Sequence, residues 1–534
     1  MTVTVANLPY DFTPTAQAQS NQGFMFKNAH DAWFYANSTA TATQITDINY
    51  PGTHTYTVTL TSSSTTATAT TSVNPHGLSV NDSVTISGAT QTEYNGTYTV
   101  KTVPAANTFT YTFAGSATTP ATGTISAVGG KVLVRGIAFL DNYFFVMDTN
   151  ATIWNCALND ATTWSGLNFI TADIEPGAGV ALFKMNDYVV ALKTWSTEFF
   201  YDAGNSPGSP LSAVVNKYNM IGCASGDSLA EVNGVRFWIS QTKQKGRSIS
   251  TMVDLQSVEG QAQLSKVSNP DIDRIVNLST LATVYSMGLQ IGGHAFYILT
   301  LVDLNITLAF DMITNSWAIW TSLEPGTAKS VTSITLSGTT ATVTATAHGV
   351  SDGDPVNIAG ANQAAYNGIK VISYVDANTF TFQTTAGTTT PATGTITATP
   401  YTETYFKYVS YIKAFDKDLV QHETDGTLCE ISELAFYDVG NPIKTVARSG
   451  KIDGGTNEIK TFGDFAIIGN KVSGTAYVRF SDDDYVTYSK FRPVDLSATR
   501  SILHRCGSAI RRSVELRYFD NTQLQLSQYD IDAS

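Results

Sequence analysis

Charge is scarce in this chain. Asp, Glu, Lys and Arg make up 14% of 534 residues, against about 25% in a typical soluble protein. Basic residues are scarcer still: 31 Lys and Arg face 44 Asp and Glu, a net charge of −13. Tight nucleic-acid binding by neutralisation of phosphates is therefore not expected. There are four cysteines, Cys156, Cys223, Cys429 and Cys506, and no two have CxxC spacing. That excludes a zinc knuckle and a disulfide framework and leaves reduced core thiols made in a cytosol. No apolar run reaches the roughly 18 residues of a membrane span. The opening residues MTVTVANLPYDFTPTAQAQ carry neither a charged nor an apolar leader segment, so no secretory signal is expected.

Sustained helical periodicity is also missing. What is present is a series of short runs rich in Val, Ile, Thr, Tyr and Phe, such as 131–140, 142–149, 188–193, 235–241 and 294–301. Two-residue turn signals of the type DN, ND, NG and GG separate them, the pattern of antiparallel hairpins in an all-β chain. The stretch GDSLAEV at 226–232 reads equally as a helical turn or a strand.

One internal repeat stands out. HGLSVNDSVTISG followed by YNG, at 76–96, returns as HGVSDGDPVNIAG and YNG at 348–368, and each copy ends in TTPATGTI. His76 matches His348, Tyr94 matches Tyr366, and Pro120 matches Pro391. Copies of about 70 residues so far apart are not solenoid neighbours. They read as two small β-modules inserted into loops of a host, which is tolerated when a module's ends lie close together. The His-Gly pair reads as a turn with glycine at positive φ. The host residues, at about 40–50 per blade, suffice for six to eight propeller blades. Blade-like units run from KVLVRGIAFLDNYFFVMDTNATIWNCAL, from GVALFKMNDYVVALKTWSTEFFYDAG and from GGHAFYILTLVDLNITLAFDMITNSWAIW. A chain of β-sandwiches is the structural alternative. The expected organisation is a propeller core starting at 1–56, a module at 57–127, core at 128–329, a second module at 330–398, and C-terminal blades at 399–534.

HExxH, GxSxG, Walker A, GxGxxG and EF-hand patterns are all missing. His30, His54, His76, His294, His348, His422 and His504 stand singly, and the sequons at Asn37, Asn95, Asn150, Asn277 and Asn305 imply no glycan. SDDDYVTY at 481–488 is similar to the Asp box of sialidase propellers in Ser481, Asp483 and Thr487. It departs at Tyr485 and Tyr488, where the box has Gly and Trp. In those enzymes the box is a hairpin turn remote from catalysis. The run Asp482–Asp484 reads as a solvated acidic tip before it reads as a calcium site. Paired carboxylates such as Asp311 with Glu324, or Glu430 with Glu433, have no spacing that sets them across a sugar.

In order along the chain, several segments resemble one family. They are DYVVALKTWSTEFFYDAGNSPGSP, GCASGDSLAEVNGVRFWISQTKQKG, GGHAFYILTL with TLAFDMITNSWAIWTS, DLVQHETDGTLCEIS, and VRFSDDDYVTYSKFRPVDL with RCGSAIRRSVELRYFD. The resemblance is to the packaged-DNA stabilisation, or tail nozzle, proteins of short-tailed bacteriophages, whose members commonly open with a longer Pro- and Arg-containing segment. It implies an all-β, β-propeller-like core with two inserted small β-barrel or immunoglobulin-like modules. It implies a structural virion subunit, made in the host cytoplasm, that assembles with itself as a hexameric ring. Implied partners are the tail adaptor or head-to-tail connector, tail fibre, spike or needle proteins, and double-stranded DNA in non-specific passage, with no membrane insertion. No catalytic residue, metal or cofactor is implied. Two alternatives stay open. One is a host-surface glycan-binding adhesin, with Tyr94 and Tyr366 stacking on sugars. The other is a sialidase-like glycoside hydrolase of a phage tail, drawing an arginine cluster from Arg236, Arg247, Arg274 and Arg448.

Overall fold

A computed structural model describes residues 16–73, 75–253 and 264–533. The opening residues, up to residue 15, lie outside the described residues. The chain is all-β, with propeller-like sheets. It divides into two units, 1–286 and 287–534.

The first unit holds four antiparallel meanders. The first is Ala16–Gln19, Gly23–Lys27, Ala32–Ala36 and Thr41–Gln44. The second is Ala138–Leu140, Tyr143–Met147, Thr152–Ala157 and Asp160–Thr171. The third is Gly179–Met185, Tyr188–Lys193, Thr197–Asp202 and Leu211–Asn219. In the fourth, Gly222–Cys223 and Ala230–Val232 both pair with Val235–Thr242, and Gly246–Val253 and Leu264–Lys266 follow. The ambiguous 226–232 stretch is therefore a short 3₁₀ turn, Gly226–Ser228, leading into a strand.

The turn residues explain why these hairpins form. Asp141-Asn142 and Asn233-Gly234 all take positive φ, as two-residue hairpin turns require. Strand periodicity explains the stacking. Phe145 and Met147 join a core with Val189, Ala191 and Phe200 of the third meander. Their neighbours Phe144 and Val146 face the other way, into a core with Met25 and Phe34 of the first. In the third meander Val190, Leu192 and Phe199 turn to Trp238 and Met252 of the fourth. A sheet buried on both faces needs apolar residues at every position, hence runs such as YFFVM and YVVALK rather than clean alternation. Each buried aromatic or aliphatic side chain contributes roughly 1.5–3 kcal/mol.

The second unit opens within the strand Val284–Ile291, which forms a meander with His294–Leu301, Ile306–Asp311 and Ser316–Pro325. A three-stranded meander, Tyr408–Ala414, Lys417–His422 and Leu428–Glu430, comes later. Beyond it the expectation of C-terminal blades is corrected. One sheet has the order Thr445–Arg448, Ser513–Tyr518, Thr475–Ser481, Arg492–Asp495. A second has the order Ser501–Ala509, Lys460–Gly469, Leu526–Ala533. The two enclose one core containing Phe465, Val478, Leu503 and Leu516. The cause is visible in burial: Thr475–Ser481 alternates between buried and half-buried positions. A strand with one apolar face packs into a two-layer sandwich, not between two blades.

The repeats share one fold. In the first, Thr53–Ser63 pairs with Gly123–Gly130 through its first half and with Thr66–Thr71 through its second. In the second copy that long strand is split: Lys329–Ser330 pairs with Thr397–Tyr405, and Ser333–Ser337 pairs with Thr340–Thr344. Each copy closes around its own apolar core, Tyr56 to Ala127 and Ile334 to Ala398. Both also need glycine at one crossing. A Cβ on Gly88 would sit 2.0 Å from the Thr124 carbonyl oxygen, and one on Gly360 2.0 Å from that of Thr395, both at positive φ. In the first copy Thr53 pairs with Gly130, and Lys131 N–H bonds Pro51 O at 3.1 Å, so the two ends meet. A chain with residues 53–130 removed and Gly52 joined to Lys131 is expected to stay soluble, its unfolding midpoint little changed by calorimetry. Aggregation of that chain would contradict the insertion reading.

Candidate functional site

The repeat residues singled out above are structural. His76 Nδ1 accepts the Leu78 N–H at 3.0 Å, and His348 Nδ1 accepts that of Val350 at 3.2 Å. Each ring sits edge-on to the matching phenylalanine, Phe109 or Phe380, at 5.6 and 5.2 Å. Burial lowers the His76 pKa. Tyr94 and Tyr366 are fully buried, and their hydroxyls donate to Thr118 O and Thr389 O. They offer no face to a sugar, which corrects the stacking role the adhesin alternative gave them. The next residue in each copy, Asn95 or Asn367, brackets one backbone residue: Asn95 bonds Ala89 N and O at 3.0 and 2.8 Å, and Asn367 bonds Ala361 at 3.0 and 2.7 Å.

The Asp-box-like segment is a hairpin tip. Asp483 accepts from Thr487 N at 2.8 Å and from the Thr487 and Ser481 hydroxyls at 2.5 and 3.0 Å. These bonds, led by those of Thr487, hold its carboxyl below the usual value. The flanking aspartates face cations. Asp482 takes both arms of Arg512, at 2.7 and 2.8 Å. Asp484 lies 3.0 Å from Lys451 and 2.5 Å from Arg511. Asp483→Asn is therefore expected to lower the thermal midpoint only slightly, as scanning calorimetry would show. Loss of glycan cleavage on that change would instead reveal an enzyme.

The carboxylate pairs are not poised across a substrate. Asp311 is held in its turn by His294 at 2.8 Å and Thr314 at 2.7 Å, and Glu324 lies 3.9 Å from Lys407. Glu430 and Glu433 border one open cleft, but Glu430 is paired with Lys417. The four candidate arginines occupy separate places. Arg247 donates to Ser279 O at 2.7 Å beside the helix Pro270–Leu278, and Arg274 is exposed on that helix. Arg236 borders a cleft in the first unit, and Arg448 belongs to a charge cluster in the C-terminal sandwich. All four cysteines are free, and burial pushes the Cys156 and Cys223 thiols up to about 12.

In the first unit residues at or near the early strands of the four meanders border an open cleft of about 430 Å³. Residues 16–19, 135–137, 182–184 and 229–231 line it, with Arg236. Its charges are largely matched: Arg135 meets Asp227 at 2.7 Å and Arg236 meets Glu231 at 2.5 Å, with Lys184 beside them. Nearby, Lys27 is fully buried and donates to Val134 O at 2.5 Å. Burial, and secondarily Arg135, brings its pKa down to about 7. Among the described residues no group of three His, Cys, Asp or Glu side chains could hold a metal ion.

Two charge clusters centre on fully buried carboxylates. At the tip of the third meander, Lys193 and Glu198 meet at 3.1 Å with side chains 2% and 0% exposed. Lys193 also donates to Ala172 O at 2.6 Å and to Glu175 O. Glu198 accepts the N–H groups of Ile174 and Glu175 at 3.3 Å. The pair thus pins the loop 172–178 that joins the second meander to the third. In the C-terminal sandwich, Glu515 is fully buried among three arginines. Arg448 reaches it at 2.8 Å, Arg479 at 2.9 Å and Arg517 at 2.8 Å. Arg479 also stacks on the Tyr488 ring at 3.9 Å, and Arg517 donates to Gly353 O at 2.8 Å. Arg479 and Arg517 escaped the reading of the sequence. Their only signal was the alternation in SVELRY, which puts Glu515 and Arg517 on one face of a strand.

Blade-like meanders with apolar cores between successive sheets place the chain in the β-propeller class. Residues 71–343, just over half of the chain, match the family described as bacteriophage P22 Gp10, beta-propeller. The chain belongs to that family and is a structural protein of the phage tail. The match opens inside the first module, spans the meanders from 138 to 325, and closes inside the second module. Among solved structures the chain is similar to BamB from Moraxella catarrhalis, with 10% identity, 57% of this chain and 83% of that one covered, and a TM-score of 0.23. It is also similar to the phage phi92 endosialidase, with 11% identity, 90% and 74% covered, and a TM-score of 0.17. No curated protein matches it.

Proposed function

We propose that this chain is the nozzle subunit of a short phage tail. Copies assemble into a ring, a hexamer by the family resemblance, beneath an adaptor ring. The ring closes the channel on packaged DNA and later lets the DNA leave, and fibre, spike or needle proteins dock to it. Its role is mechanical, without catalysis. The observation that carries this reading is the family match, centred on the meanders. Two physical features support it. The net charge of −13 suits a wall along which DNA slides, since each added Lys or Arg contact to phosphate would strengthen binding through counterion release. The last strands of several meanders also expose apolar side chains: Leu167 is 76% exposed, and Tyr218 and Ile319 are exposed as well. Such residues suit permanent subunit contacts. Native mass measurement of the purified chain tests the reading. Closed multimers of fixed copy number are expected, and a monomer at every concentration would overturn it.

A further inference from the structure

The hairpin joining Tyr408–Ala414 to Lys417–His422 turns in two residues, with Ala414 paired to Lys417. Both turn residues take positive φ, Phe415 at 54° and Asp416 at 57°. Turns of this kind favour Asn-Gly, because a bulky side chain is strained there. Phe415 is not compensated by packing: it is 78% exposed, and Leu434, 83% exposed, lies at the cleft bordered by Asp416. A strained, exposed aromatic beside a carboxylate has the form of a contact residue.

The same unit carries a groove of the opposite form. Among the described residues Thr445–Arg448 pairs only with Ser513–Tyr518, and Leu526–Ala533 only with Lys460–Gly469, so each sheet of the C-terminal sandwich ends there in an edge with no described partner strand. Between those edges lies a groove of about 270 Å³, lined by Ala447, Phe465, Ile467, Leu516, Leu526 and Tyr529. Leu526 is 40% and Tyr529 43% exposed. Arg448 stands on one lip, 56% exposed, as the outermost of three guanidiniums that share the single carboxylate of Glu515. The groove is apolar with positive charge at its rim; the knob is aromatic with Asp416 at its side.

We propose that the Phe415 tip of one copy seats in the groove between the Thr445–Arg448 and Leu526–Ala533 edges of the next, with Asp416 facing Arg448. Knob and groove are different surfaces of one chain, so the contact is head-to-tail. Such a contact repeats from copy to copy and closes into a ring when its rotation allows. This inference rests on the ring reading above and names the junction within it.

The full chain tests it, through sedimentation velocity on wild type, Phe415→Gly and Ala447→Trp. Phe415→Gly removes the knob, and Ala447→Trp fills the groove from an exposed position. Each variant is expected to associate at least about 30-fold more weakly, as loss of a hot-spot contact does. The Phe415→Gly midpoint should be unchanged or raised, because glycine relieves the turn. An equimolar mixture of the two variants retains one intact knob and one intact groove, and should give dimers that grow no further. Wild-type multimers with undiminished assembly of both variants, or a mixture that yields no dimer, would overturn the junction and leave the ring reading standing. A monomeric wild type would overturn both.

Discussion

Replacing Glu198 with alanine is expected to destabilise the first unit by about 3–5 kcal/mol, because it strands a buried ammonium. Lys193 is 2% exposed, and its other partners are the carbonyls of Ala172 and Glu175. Those carbonyls can share the charge but cannot neutralise it. The reverse change, Lys193→Met, strands the carboxylate with only the Ile174 and Glu175 N–H groups and a long contact to the Ser196 hydroxyl at 3.4 Å. The double change Lys193→Met with Glu198→Leu is expected to cost less than either single one, since no charge is left unpaired. It should not be neutral. The 172–178 loop would still lose its partners, and each unsatisfied buried group costs about 1–3 kcal/mol. Denaturant unfolding of the three variants gives the coupling energy directly. A Glu198→Ala variant within about 1 kcal/mol of wild type would show that the loop is not held by this pair.

Much of the fold was legible because hairpin turns are local. Asp141-Asn142, Asn186 and Asn233-Gly234 sit where the strands reverse, and all take positive φ. The three blade-like units read from the sequence are the second, third and fifth meanders. The helix Pro270–Leu278 was missed although its signals are present. Asn269 accepts from Asp271 N and Ile272 N, proline opens the first turn, and Ile272 and Val276 are buried four residues apart. In a chain dominated by strands, two apolar positions are too few to declare a helical period. The C-terminal sandwich failed for a different reason. Its strands pair out of sequence order, with Ser513–Tyr518 lying between Thr445–Arg448 and Thr475–Ser481. No local pattern records a long-range pairing.

The same limit governs the charge clusters. Glu198 stood in the family-like segment WSTEFF, but its partner Lys193 looked like an ordinary strand end until the hairpin brought them together. The arginines were read one at a time. Arg448 was named, but Arg479 and Arg517 were not, because only the pairing of Glu515 with Arg448 on one side and Arg479 on the other assembles the set.

Glu515→Ala should have an effect of similar size on the second unit, about 3–5 kcal/mol, or a midpoint lowered on the order of 10 °C. Two of its arginines have little recourse to water: the Arg479 and Arg517 side chains are 12% and 11% exposed. Arg517 would keep its bond to Gly353 O, and Arg479 its stacking on Tyr488, but neither supplies a negative charge. Acid titration gives a second signature. Burial alone would raise the Glu515 pKa, but Arg517, Arg448 and Arg479 outweigh it and hold the carboxyl below its usual value. A group whose folded pKa lies below the unfolded one stabilises fully above the unfolded value, about 4.3 for Glu, and loses that contribution as pH falls through the folded value. The wild-type midpoint should therefore drop on acidification below about pH 4. Glu515→Gln keeps the shape and an acceptor oxygen but removes the titrating group. It should begin less stable at neutral pH and lose less over the same window. Scanning calorimetry of both chains between about pH 3 and 6 separates the outcomes: parallel curves would mean that the arginines gain nothing from the ionised carboxylate.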